Sequence, residues 1–190
     1  AVTNASSIAL RVVSAHRHAL SETRVLGSLA RQDVLRLLLA ESRISARMPE
    51  LKKLRRQGSF FRRLDQAIQG GRLAFAHFDE AGVYNERLEL KFGPDPLREE
   101  LQALAMAYET WLESLGLMDP PMVLRAAAAL LDERGWPEAM AQPESIHICS
   151  VQAEESLERS FWDAVGRHVR VERIGLSGTP VTERGFSAPT

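Results

Sequence analysis

The stretch LREELQALAMAYETWLESLG, residues 97–116, constrains the fold of this chain more than any other. Leu97, Leu101, Leu104, Tyr108, Trp111, Leu112 and Leu115 recur every three or four positions, the spacing of one helix face. Asp95 suits the N-cap, Pro96 the first turn, and Glu99 and Glu100 complement the positive helix end. Gly116 then stops the helix. An apolar stripe of this length must bury itself against other elements, so a helix-packed core is expected.

The preceding residues repeat the pattern. SSIALRVVSAHRHAL places Ile8, Ala9, Val12, Val13 and Leu20 on one stripe, and LARQDVLRLLLAESR does the same with Leu29, Val34, Leu35, Leu38 and Leu39. Pro49 opens PELKKLRR at a first-turn position. Ser59 is placed to cap FFRRLDQAIQGG, where Phe60, Phe61, Leu64 and Ile68 share a face and Gly70–Gly71 are expected to end the helix. In VYNERLELKFGPDP the alternation of Leu88, Leu90 and Phe92 permits a short strand or an extended connection. Beyond Gly116, the turn GLMDPP leads into MVLRAAAALLDERG, with Asp119 as its cap.

The C-terminal part changes character. IHICSV reads as a strand, SLERSFWDAV as a helix, and HVRVERI as a second strand, a βαβ-like order that implies parallel pairing. The remainder is rich in Gly, Pro, Ser and Thr, and residues 179–190 are expected to form a flexible tail. The fold class is therefore mainly α: a multi-helical domain with a small C-terminal βαβ-like unit.

Several chemistries are excluded by residue type and spacing. Cys149 is the single cysteine, so neither an internal disulfide nor a clustered-cysteine metal site can form. A strand-to-helix elbow that exposes a nucleophile needs flanking glycines, and Cys149 and Ser150 have Ile148, Val151 and Gln152 instead. They read as part of a plain buried strand, not as nucleophiles. His16 and His18, two apart on a helix, point away from each other, and His147 alternates with apolar strand neighbours, as a surface or edge residue would. His77, Asp79 and Glu80 form a tight but unspecific group, the place an unrecognised enzymatic site would occupy. No HExxH, GxxxxGK[ST] or GxGxxG is present, and no cofactor is implied. No apolar run approaches the roughly 18 residues of a membrane span, and the start lacks a signal peptide's basic and apolar regions. A cytoplasmic setting is expected. The chain does not begin with Met and is expected to be a piece of a longer protein.

The net charge of −1 hides a split: residues 1–72 carry 14 Lys/Arg and 5 Asp/Glu, a balance of +9, against −10 for residues 73–190. Such asymmetry points either to a polyanion or acidic partner for the first part or to basic and acidic halves facing each other within the fold. The basic residues concentrate in LKKLRRQGSFFRRL, with Lys52, Lys53, Arg55, Arg56, Arg62 and Arg63. Basic side chains neutralise phosphates and release counterions, and Phe60 and Phe61 could offer a surface for stacking bases. The same residues fit a solvated charged face above a buried aromatic pair equally well.

The segment from about 95 to 176 resembles the superfamily 1 helicases of the UvrD/RecB type, at the return from the helical 1B insertion to the first motor domain. Tyr108, Leu112, Gly116, Leu117 and Asp119 match that return, with Met118 intervening between the Leu and the Asp. The resemblance places the Walker B acids of active members at Ser150 and Val151, with Glu154 near a later Asp, so the metal-holding and water-activating acids are missing here. DPPM also stands where active members carry a further Asp. Such loss is similar to the AddB-like subunits of bacterial helicase–nuclease complexes, whose inactivated helicase half engages DNA while a PD-(D/E)xK domain cuts it. The resemblance implies a 1B-like helical domain over residues 1–118 and a motor-domain-like α/β segment over 119–178. It also implies a non-catalytic, DNA-engaging role in double-strand break repair and recombination, beside a helicase–nuclease partner subunit. A protein-interaction or scaffold module with a basic docking surface is the alternative.

Overall fold

A computed structural model describes residues 4–16, 24–73, 96–149 and 156–174. The elements in chain order are α1 (Ala5–His16), β1 (Arg24–Val25), α2 (Ser28–Ala40), α3 (Ser42–Ser45), α4 (Pro49–Leu54), α5 (Phe60–Leu73), α6 (Leu97–Ser114), β2 (Leu117–Met118), α7 (Pro120–Arg134), β3 (Ser145–Cys149), α8 (Ser156–Gly166) and β4 (Arg170–Ile174). The fold is mainly α, with two small parallel two-stranded sheets among the described residues. Leu88, Leu90, Phe92 and the expected tail lie outside those residues.

α1 and α7 pack along each other, and α7 also carries α8. Asn4 precedes α1 and its Oδ1 accepts the Ser7 N–H at 2.8 Å; the helix buries Ala5, Ala9, Val12 and Val13. α7 is capped as its sequence predicts, with Asp119 Oδ1 accepting the Met122 N–H at 3.2 Å, but it starts two residues early: Pro120 and Pro121, expected in the turn, form its first turn. At its far end Gly135 has φ 76°, a left-handed conformation that disfavours other residues. The Gly135 carbonyl bonds to His16 Nε2, and the Leu131 carbonyl to His168 Nε2, each at 3.1 Å. His16 thus closes a helix end.

α6 buries Leu104, Tyr108 and Leu112 completely, and Gly116 ends it at φ 65°. It begins at Leu97 with Pro96 in the cap position, one residue later than the sequence suggests, and Asp95 lies outside the described residues. At its C-terminal end Leu115 is exposed, because the stripe outruns the surface it packs on. Leu29 is also exposed, at 78%, since α2 turns its first turn to solvent and buries only Val34, Leu35, Leu38 and Leu39.

Gly70 and Gly71 do not stop α5, which runs through both to Leu73. The reason is tertiary: Arg72 is anchored in the core by Asp119 and Glu109, and that anchoring outweighs the local glycine cost of about 1 kcal/mol each. Residues 117–118, expected within a turn, form β2 instead. They pair in parallel with β1 (Arg24 opposite Leu117, Val25 opposite Met118), and the Leu26 N–H extends the ladder to the Met118 carbonyl at 2.8 Å.

β3, α8 and β4 form the expected parallel unit, with Ser145 opposite Arg170 and Cys149 opposite Ile174. α8 buries Leu157, Phe161, Trp162, Ala164 and Val165. β3 is not a fully buried strand: Ile146 and Ile148 are half-buried while His147 and Cys149 are exposed. It pairs with β4 alone among the described strands, so its other edge has no strand partner among them.

Candidate nucleic-acid interface

The six basic residues singled out by sequence are all exposed. Lys52 and Lys53 sit on α4, Arg55 and Arg56 in the turn after it, and Arg62 and Arg63 in the first turn of α5. Pro49 at the first position and burial of Leu51 explain why so short a segment is helical here. Of the six, only Lys53 makes an ion pair among the described residues, with Glu50 at 2.5 Å across one helical turn. An exposed pair of that kind is worth only ~0.2–1 kcal/mol and leaves the lysine available. The structure adds Arg43 and Arg47, exposed around α3 just upstream, and Arg36 on α2. From residue 36 to residue 63 the chain thus presents nine exposed cations.

Phe60 and Phe61 belong beneath this surface. Phe60 is a core residue at 6% exposure. Phe61 is half-buried, meets Phe60 edge-on with centroids 5.0 Å apart, and has the Arg36 guanidinium 4.9 Å from its ring centroid. Stacking of bases on this pair is therefore not offered, and contact by the basic segment falls to its cations.

A second layer fixes α5 from below. Asp65, nearly inaccessible, receives Arg31 in a two-pronged pair (Nε to Oδ1 2.8 Å, Nη2 to Oδ2 2.9 Å), while Arg31 Nη1 also donates to the Leu26 carbonyl at 3.1 Å. Burial alone would lower the Arg31 pKa, but the hydrogen bond and charge of Asp65 outweigh it and raise the value. Two turns along the same face, Arg72 pairs with Asp119, and it reaches Glu109 at 3.5 Å. Gln69 donates to Asp119 at 2.9 Å, and Arg125 pairs with Glu109. Sequence reasoning passed over Asp65 and Arg72. The readable sign was two charges seven residues apart on the apolar face of Phe60, Leu64 and Ile68.

Tyr108 completes this layer, with its ring centroid 5.5 Å from the Arg72 guanidinium. Its hydroxyl is buried near Asp119 without an aligned hydrogen bond. Burial first, and then the Asp119 charge, push its pKa well above the ordinary phenol value, while Arg72 and Arg31 pull the other way. A buried unsatisfied hydroxyl costs about 1–3 kcal/mol, so Tyr108→Phe is expected to leave stability unchanged or raise it by about 1 kcal/mol. Because the folded pKa is raised, the wild type should also lose stability as pH climbs past 10, and the Phe variant should lose less. Thermal melts from pH 7 to 11 check both; a lower Tm for the variant at pH 7 would mean that the hydroxyl is satisfied.

The other candidates disperse. His147 pairs with Glu172 at 3.1 Å on the exposed side of β3, and Arg170 joins Glu172 at 2.7 Å. Cys149, expected to be buried, is exposed at the end of β3. His18, His77, Asp79, Glu80, Ser150, Val151 and Glu154 lie outside the described residues. Among the described residues no group of three or more His, Cys, Asp or Glu could hold a metal ion. A cleft of ≈ 440 Å³ opens between the end of α6 and α7, lined by Leu117, Met118, Met122 and Ala126 with Glu113 and Arg125. No helix among the described residues is long and apolar enough to cross a membrane. Comparison with known proteins adds no relative to this geometry: no family model, no curated protein and no solved structure matches the chain.

Proposed function

We propose that this chain is a non-catalytic, DNA-engaging region that holds phosphates through the basic segment of residues 52–63. The observation that carries the reading is the exposure of Lys52, Lys53, Arg55, Arg56, Arg62 and Arg63 within twelve residues, with one weak ion pair among them. Cations that, Lys53 apart, have no acidic partner among the described residues are ready to displace counterions from a polyanion. With Phe60 in the core and Phe61 half-buried beside the Arg36 guanidinium, recognition is phosphate-mediated and indifferent to sequence. In the wider reading, supported by the helicase-like order of residues 95–176, the chain is part of an AddB-like subunit of a bacterial helicase–exonuclease. It would act in the cytoplasm, in double-strand break repair and recombination. A partner helicase–nuclease subunit would accompany it, and a nuclease domain of PD-(D/E)xK type would belong to the parent protein.

Fluorescence anisotropy with labelled single-stranded and duplex DNA across a salt series tests the reading. The quadruple variant Lys52→Ala/Lys53→Ala/Arg55→Ala/Arg56→Ala is expected to bind more weakly. Its slope of log K against log salt should be shallower by about 0.9 for each duplex phosphate that it no longer neutralises. Absence of binding by the wild type at low salt would sink the DNA reading and leave a docking surface for an acidic protein.

A further inference from the structure

We propose that Glu100 is a positioning residue for DNA binding: its buried carboxylate caps α4 from another helix and so fixes Lys52 and Lys53 in place. The inference rests on the reading of residues 52–63 as a phosphate-binding segment, and it deepens that reading by naming what orders it.

α4 has six residues, far fewer than the roughly 12–15 an isolated helix needs to persist in water. Its first N–H groups have no partners within the helix, and Met48, in the cap position, provides no side-chain bond. Glu100 supplies both missing acceptors from the first turn of α6. One carboxylate oxygen accepts the Glu50 N–H at 2.9 Å, and the other accepts the Leu51 N–H at 2.8 Å. The residue is only 6% exposed, flanked by the buried Met48 and Leu51. A carboxylate so far from water is costly unless its oxygens are bonded, and here both oxygens meet the positive end of a helix. Charge-assisted bonds of this kind are about twice as strong as neutral ones. The exposed Glu50–Lys53 pair adds little beside them. The carboxylate is also directed into backbone, leaving Lys52 exposed and, among the described residues, without an acidic partner.

Two readouts on the full chain test the proposal: amide hydrogen exchange, and anisotropy with a labelled DNA duplex over a salt series. The variants are Glu100→Ala, Glu100→Gln, Lys52→Ala/Lys53→Ala and the triple Glu100→Ala/Lys52→Ala/Lys53→Ala. Glu100→Ala is expected to lose protection at residues 50–54 while α1, α7 and α8 keep theirs. Its affinity should fall about as far as in the double-lysine variant, with the salt slope shallower by about 0.9 for each phosphate left without its lysine. The triple variant should bind no more weakly than the double, because the cap acts through those lysines. Glu100→Gln keeps one acceptor and should fall between; it carries the test if the Ala variant does not fold. Wild-type affinity and slope in Glu100→Ala would overturn the proposal, and so would losses that add in the triple variant, since those mark a general stability effect. A wild type that binds no DNA would overturn the phosphate reading and this inference together. A binding wild type with an indifferent Glu100→Ala overturns this inference alone.

Discussion

Arg72→Met is expected to destabilise the fold by about 3–5 kcal/mol, the cost of stranding a buried charge whose partner has been removed. Arg72 is 1% exposed and Asp119 is wholly buried, so water cannot replace the guanidinium without opening the core. Met roughly preserves the volume, which keeps any cavity small and assigns the loss to charge. Asp119 would retain the Gln69 amide and the Met122 N–H, but neither carries a compensating charge. Glu109 would keep Arg125, whose side chain is 35% exposed. Urea unfolding should show a lower midpoint with an unchanged slope. A loss under about 1.5 kcal/mol would show that hydrogen bonds alone satisfy Asp119. Stability of a domain is typically ~5–15 kcal/mol, so the expected loss is a large fraction of the whole.

Phe161→Ala is the second large effect, again about 3–5 kcal/mol, by a different cause. The ring is fully buried on α8 and lies 5.0 Å from the Trp162 ring, so truncation removes its packing partners and leaves a void. The position also supports the C-terminal sheet, because β4 packs on α8. A two-stranded sheet has little stability of its own. Exchange protection in residues 145–149 and 170–174 should therefore vanish before that of α1 and α7. Phe161→Leu should cost less than half as much, since most of the space stays filled. If the Ala variant protected the strands as well as the wild type does, the sheet would be held by something other than this helix.

What could be read from the sequence was whatever is decided locally. The α6 stripe, the Gly116 stop and the Asp119 cap each depend on residues within one or two turns, and each is present. The strand–helix–strand order also carried through, because short segments rich in β-branched residues (Ile146 and Ile148; Val169, Val171 and Ile174) on either side of a strongly amphipathic helix admit few arrangements. Failures occurred where a distant group decides. Gly70–Gly71 look like a stop until Asp119, some fifty residues on, holds Arg72 in place. Glu100 reads as a complement to the dipole of its own helix, yet its oxygens serve α4. β1 and β2 have two residues each, too few for any alternation to register. At the candidate interface, charge was legible from composition. Whether Phe60 and Phe61 faced bases or core was not, since a helical spacing is the same in either case; burial of Phe60 decides for core.

The β1–β2 pair has a consequence for the order in which the chain acquires its shape. Its partners lie roughly ninety residues apart, and closing an unstructured loop of that length costs on the order of 4 kcal/mol. A ladder only a few hydrogen bonds long cannot offset that cost from an open chain. The two strands must wait until α2, α5 and α6 have condensed and shortened the path between them. They are then a late seal on α2, α5 and α6, and their rupture should be among the first events when the molecule is pulled or heated.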